Sequence, residues 1–326
     1  MEDVFRTRFA DLPTPIEELK RLSAELGGPR IFVKRDDQTG LAFGGNKTRK
    51  LEFLLGDALA RGARTLVTAG AAQSNHCRQT AAAAAKFGLG CVLVLNGTPP
   101  AELSANLLLD RLFGARIVWV EDRKDRERVQ EECFRDLESK GEAPYFVPYG
   151  GSSPIGALGY AFAVKEVLDQ GFVPDYFVFG TSSGGTHAGL VLGARIFGYS
   201  GKILGISIDE SEAWLQARVS SLASDASELL GERVAIKPSE ILADDSYCAA
   251  GYGVLTDAEL EAVRLFARTE GLLLDPVYTG RAAAGLIDLV RKAGFGRGST
   301  VLFWNTGGQP ALFAEKYQHI LARSMP

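Results

Sequence analysis

Histidine and cysteine are scarce in this chain, and their scarcity narrows the chemistry first. Among 326 residues there are three histidines and four cysteines. The cysteines (Cys77, Cys91, Cys133, Cys248) are scattered, with no CxxC pair and no cysteine–histidine spacing of the kind that holds zinc. No metal site is expected, and the thiols read as reduced, as in a cytoplasmic protein. Positive charge is not in excess. The net charge is −4, which leaves no basic footprint for nucleic acid and no polybasic membrane patch. Long apolar runs are missing too; Val92-Leu93-Val94-Leu95 is strand-sized, far short of a membrane span. Met1 to Arg8 mixes both charges without an apolar core and does not read as a secretion signal. Low-complexity linkers and short-period repeats are also lacking. What remains is an ordinary globular composition, 46% hydrophobic and 23% charged, long enough for a large core and two domains.

The pattern along the chain is alternating. Thr14-Pro15 reads as a helix start, with Ile16 to Leu26 helical and Gly27-Gly28 ending it. Ile31 to Arg35 reads as a strand and Asp36 to Gly40 as a polar loop. Helices are expected over Lys47–Ala60, Asn75–Phe87, Ala101–Phe113 and Lys124–Ser139. The strands between them are Thr65–Thr68, Cys91–Leu95, Arg116–Val120 and Tyr145–Pro148. The alternation then resumes: helix Ile155–Leu168, strand Tyr176–Phe179, helix Thr186–Phe197, strand Ile203–Ile208. Gly198 to Tyr247 has no assigned role, and Glu210 to Tyr247 within it reads as helical and irregular. Helices Thr256–Arg268 and Arg281–Ala293 and strand Val301–Trp304 follow. Apolar strands alternating with helices argue an α/β fold with parallel sheets covered on both faces. Two open sheets fit better than one. The expected division is a small domain at 47–150 and a larger one joining 1–46 to 151–326.

In such sheets ligands sit where strand ends lead into helix N-termini, and polar, glycine-bearing loops occupy those places. The first is Phe43-Gly44-Gly45-Asn46-Lys47-Thr48-Arg49-Lys50. Asn46 is a good N-cap, which puts Lys47 in the first helical turn. There the fixed N–H dipoles and the positive helix end disfavour its ammonium form. A neutral amine is what condenses with an aldehyde. Lys50, one turn on, is the competing lysine. The second loop is Gly70-Ala71-Ala72-Gln73-Ser74-Asn75-His76, in which Ser74 or Asn75 caps a helix and leaves N–H groups for a carboxylate or phosphate. The third, Gly180-Thr181-Ser182-Ser183-Gly184-Gly185-Thr186-His187, suits a phosphate dianion at a helix N-terminus. It is neither an NTPase P-loop nor a dinucleotide fingerprint. His187 reads as helix packing. At the C-terminal side, Thr306 with Gly307-Gly308 can meet a flat ring at its edge. Tyr278 and Tyr252 are candidate proton-relay phenols.

Taken together these segments resemble the tryptophan-synthase-β-like (fold type II) pyridoxal-phosphate enzymes. Within them the similarity is to the branch of 1-aminocyclopropane-1-carboxylate deaminase and D-cysteine desulfhydrase. It runs from about Leu12 to Ala314 and rests on Gly44 to Glu52, Gln73 to His76, Gly184 to Gly189, Ala250 to Val254, Asp275 to Gly280 and Thr306 to Leu312. The resemblance implies pyridoxal 5'-phosphate joined to Lys47, with Asn75 by its phenolic oxygen and its phosphate on Ser183, Gly184, Gly185 and Thr186. It implies Thr306 at the pyridine nitrogen, Thr279 as a further cofactor-binding residue at the position that separates the branches, and the substrate carboxylate on Ser74, Asn75 and His76. Lys47, Ser74, Tyr278 and Tyr252 are the expected catalytic residues. In the deaminase pattern a Glu follows the Asp-Pro-Val-Tyr tyrosine and a Leu precedes the late glycine pair; here they are Thr279 and Thr306, the desulfhydrase pattern. Asn305 departs from the family, where His is usual. The implied activity is desulfhydration of D-cysteine by a homodimer. Alternatives are 1-aminocyclopropane-1-carboxylate deaminase and L-cysteate sulfo-lyase. In a different class stands a non-catalytic binder of a phosphorylated metabolite.

Overall fold

The computed structural model describes residues 6–296 and 298–323. Residues 1–5 of the segment read as no secretion signal lie outside it. The first half runs β1 Ile16–Glu18, α1 Lys20–Leu26, β2 Arg30–Arg35, α2 Asn46–Ala60, β3 Thr65–Ala71, α3 Asn75–Lys86, β4 Gly90–Asn96, α4 Ala105–Leu112, β5 Arg116–Val120, α5 Arg126–Ser139 and β6 Pro144–Phe146. The second half runs α6 Pro154–Asp169, β7 Tyr176–Thr181, α7 Gly185–Phe197, β8 Lys202–Ser207, α8 Glu212–Leu229, β9 Leu242–Asp244, α9 Asp257–Glu270, α10 Thr279–Arg291, β10 Thr300–Asn305 and α11 Glu315–Arg323.

Two sheets result. One has six strands in the order β1-β2-β10-β7-β8-β9, the other four in the order β5-β4-β3-β6. All pairings are parallel except that of β1 with β2. The four strands of the smaller sheet all come from 65–146. Both sheets are covered on both faces, as their apolar strands demand. On the large sheet, Phe266 of α9 and Leu286 of α10 pack with Val33, Val301 and Phe303 on one face. Tyr160 of α6 and Leu190 of α7 pack with Phe177 and Trp304 on the other. The small sheet is held between Leu51, Leu54 and Ala81 of α2 and α3 and Cys133 and Leu137 of α5. Each fully buried Leu or Phe here contributes about 1.5–3 kcal/mol.

The expectations fail where non-local pairing overrides local pattern. Ile16 to Glu18 is an antiparallel edge strand against Phe32 to Lys34, not the start of a helix. The Thr14 hydroxyl, expected to cap, donates instead to buried Asp36 at 2.8 Å. The helix expected at Ala101 begins at Ala105, and β9 and α11 were not anticipated. Because the strands are parallel, their carboxyl ends share one edge of each sheet. The loops after β2, β3, β6, β7 and β10 converge there.

Candidate active site

These loops enclose a cavity. Its wall carries Lys47, Ser74, Asn75, His76, Ser183, Gly184, Gly185, Thr186, Tyr278 and Thr306. Two anticipated residues stand off the wall. Tyr252 lies behind Tyr278, their hydroxyls 2.9 Å apart. Thr279 is fully buried with its hydroxyl spent on Asp275: it accepts from the Asp275 N–H at 2.7 Å and donates to Oδ1 at 2.8 Å.

Lys47 sits in the first turn of α2. The N-cap is Gly45, at φ 123°, with Asn46 as the first helical residue. A glycine is required there, because a Cβ would press on Gln79 and on the Thr306 carbonyl. The freed Asn46 amide donates to Thr186 Oγ1 at 3.0 Å, tying the lysine loop to the phosphate-type loop. Burial pushes the Lys47 amine down to about 8, and Lys50 raises it slightly as a hydrogen-bond acceptor. Dehydration, more than the helix dipole, is therefore the main cause. Lys50 also lines the cavity, which its spacing of three from Lys47 would have revealed. Burial, together with the charge of Lys47, holds its amine well below the ordinary range. Its Nζ donates to the Gly150 carbonyl at 3.2 Å and to Ser152 Oγ at 3.4 Å.

Ser74 is the N-cap of α3, its Oγ accepting from Cys77 N at 3.2 Å. The N–H groups of Asn75 and His76, in the first turn, have no partner inside the helix. The His76 ring is turned away: Nε2 meets Thr68 Oγ1 at 2.8 Å, and that hydroxyl donates to the Val147 carbonyl. Burial and the two lysines hold the ring neutral. Only its main-chain N–H can serve a carboxylate.

α7 opens at Gly185, with Gly184 left-handed at φ 83° as its N-cap. Ser152 Oγ accepts from Gly185 N at 3.2 Å and lies 2.7 Å from Ser183 Oγ. The remaining first-turn N–H groups, the Thr186 hydroxyl and the nearby Lys50 amine form a set of donors suited to a phosphate. α8, in the stretch with no assigned role, packs behind this loop. Arg218 donates to the Ser152 carbonyl at 3.2 Å, and a Cβ on Gly184 would meet its side chain. His187 is packed edge-on against Phe179 and pushed down to about 3 by burial.

Tyr149 and Gly150 also line the cavity. A glycine pair at a strand end, Tyr149-Gly150-Gly151, was the available signal. At the far side Thr306 accepts from Asn46 N through its carbonyl at 3.0 Å. Buried Asn305 uses Oδ1 to accept from Gly307 N, and its Nδ2 has no partner among the described residues. Among the described residues the wall contains no carboxylate and no arginine. Among the described residues no cluster of His, Cys, Asp or Glu could hold a metal. No helix among them is long and apolar enough to cross a membrane.

A buried lysine whose amine is pushed down to about 8, sharing a cavity with an anion cradle, suits a phosphorylated aldehyde. Residues 8–307 match the family model described as pyridoxal-phosphate dependent enzyme. The chain belongs to the pyridoxal-phosphate-dependent enzymes. Its cofactor is pyridoxal phosphate, and its fold is the type II fold of that family. The chain is similar to a crystallised ACC deaminase homologue, at 39% identity and TM-score 0.91, covering 99% of this chain and 97% of that one. The processed threonine deaminase isoform 2 of Solanum lycopersicum is 17% identical, with TM-score 0.67 and coverage of 95% and 82%. A fungal L-serine ammonia-lyase from Rhizomucor miehei is 18% identical, with TM-score 0.67 and coverage of 95% and 98%. The last two share the fold.

Proposed function

We propose that this enzyme removes sulfide from D-cysteine by β-elimination, giving pyruvate, hydrogen sulfide and ammonia. The observation that carries this reading is a cavity wall without a carboxylate; the resemblance would put Thr306, which lines that wall, at the ring nitrogen. A carboxylate there would keep the nitrogen protonated and deepen the electron sink. Opening a cyclopropane needs that depth; expelling a good leaving group from the β-carbon does not. The missing arginine counts against L-cysteate, whose sulfonate adds a second negative charge for which only Lys47 and Lys50 are at hand.

Bound pyridoxal phosphate supplies an aldehyde that joins an amine and a ring that takes up an electron pair. Lys47 would hold it, with Ser183 to Thr186 and Lys50 around the phosphate. Ser74 and the free N–H groups of Asn75 and His76 orient the substrate carboxylate. Lys47, displaced by the substrate, is the first candidate to take the α-proton. Burial raises the midpoints of Tyr278 and Tyr252 and keeps both phenols protonated. The tyrosine pair would therefore act as a hydroxyl relay. Ser74 would donate a proton to the departing sulfur. We further propose the division at 47–150, a homodimer and a cytoplasmic location, the last in keeping with four free cysteines.

Incubation with D-cysteine, L-cysteine, L-cysteate and 1-aminocyclopropane-1-carboxylate tests the reading. Sulfide and pyruvate from D-cysteine are expected. Ketobutyrate without sulfide overturns the proposal in favour of the deaminase, and sulfite from cysteate in favour of the sulfo-lyase.

A further inference from the structure

Asn75 has its amide oxygen fully engaged. Oδ1 accepts from Asn106 Nδ2 at 2.9 Å and from Arg78 Nη1 at 3.1 Å. Its orientation is therefore fixed: the only part of the amide left for the cavity is the Nδ2 donor. Asn106 is in turn committed at every polar atom of its side chain and at its N–H. It accepts from Arg78 Nη1 at 2.7 Å, donates Nδ2 to the Gln73 carbonyl at 2.9 Å, and donates its N–H to Gln73 Oε1 at 2.9 Å. It is fully buried. Immediately before it, Ala105 is held at φ 50°, a left-handed backbone that a non-glycine residue adopts only when its surroundings impose it. Ala105 packs against a small apolar cluster that includes Val277 and Ala314. The start of α4 thus packs into that cluster with one residue and locks Asn75 with the next.

We propose that Asn106, assisted by Arg78, is a positioning residue that holds Asn75 as a hydrogen-bond donor to the cofactor's phenolic oxygen. The inference rests on the pyridoxal-phosphate reading of Lys47. In pyridoxal phosphate the phenolic oxygen is ortho to the aldehyde carbon, so an amine bound at Lys47 brings that oxygen to the same end of the cavity. Asn75 lines the same cavity as Lys47. A donor to this oxygen matters most when the proton it shares with the Lys47 nitrogen has left, because the oxygen then has no internal partner. The lock therefore lowers the pH at which that proton is lost. The charged groups around it are Arg78 on α3, Lys47 and Lys50 on α2, Asp110 on α4 and Asp275 before α10. Asn106 itself does not titrate.

The test is the pH midpoint of the visible absorption change in the holoenzyme. Asn75→Ala and Asn106→Ala should each raise it by about one pH unit, the loss of one hydrogen bond to a charged oxygen. The double variant should shift no further than either single one, because both substitutions remove the same bond. Asn106→Asp keeps the shape and the Arg78 contact but turns the donor facing Asn75 Oδ1 into an acceptor. It should move the midpoint in the same direction even if Asn106→Ala fails to fold. A midpoint unmoved in Asn106→Asp, or shifts that add in the double variant, would overturn the role of Asn106. A wild-type holoenzyme with no visible band would instead overturn the cofactor reading beneath it.

Discussion

Lys47 and Arg49 stand two residues apart on one helix and meet opposite surroundings. Arg49 is fully buried and bonded to two carboxylates: Nε and Nη2 donate to Asp36 at 2.8 Å, Nη1 and Nη2 to Glu166 at 2.9 Å. Asp36 also accepts from Trp304 Nε1 at 2.7 Å and from the Tyr160 hydroxyl at 2.5 Å. Lys47 has no carboxylate near it; its neighbours are Lys50 and a neutral cavity. The same buried positive charge is stabilised on one side of α2 and destabilised on the other. A paired cation anchors the helix to Asp36 and α6; an unpaired one holds its proton less tightly.

Substitutions can break this contrast. The largest expected effect is Lys47→Ala, which should lower turnover by about 10³-fold or more. Thermal melting of the same variant should be unchanged or raised, since an unpaired buried amine has been removed. Melting far below wild type would show that Lys47 is structural. Arg49→Met should do the reverse. It strands Asp36 and Glu166 without a cation, and urea unfolding should show a loss of about 3–5 kcal/mol. Wild-type stability in that variant would contradict the anchor.

Acid sharpens the contrast from the paired side. Burial raises the Glu166 carboxyl, but its bonds and charge interactions with Arg49 and Lys34 outweigh this and hold it at about 2, against an ordinary 4.5. The folded midpoint lies below the unfolded one. The stabilisation is therefore complete above pH 4.5 and drains away as the pH falls toward 2. Glu166→Gln should be less stable at pH 7 and should lose less over that window, in urea melts at a series of pH values. On the unpaired side, the reaction of the cofactor-free protein with an aldehyde probe should rise with pH, pass half its maximum near 8, the Lys47 midpoint, and level off at higher pH. Lys50→Met removes an acceptor for the Lys47 ammonium. The smallest effect expected is a fall of that midpoint by less than about one unit.

The strands, the alternation and four of the five loops could be read locally, because parallel apolar strands and small-residue helix starts leave dense signals. Asn75, Ser183 and Thr306 belong to that legible set. What escaped depended on partners distant in the chain. Ile16 to Glu18 became a strand only because Arg30 to Arg35 offered an edge. Thr279 left the wall because Asp275 claimed its hydroxyl. Asn106 gave no sign at all, since its importance lies in four bonds to Gln73, Asn75 and Arg78. The motif residues carry the chemistry and are found by type and spacing; the residues that aim them are found only in three dimensions.

The whole account comes down to which amine carries the cofactor. Borohydride reduction of the yellow holoenzyme, followed by digestion and mass spectrometry, should find one pyridoxyl group fixed on Lys47. A label on Lys50, or a colourless protein with no label on α2, would contradict it.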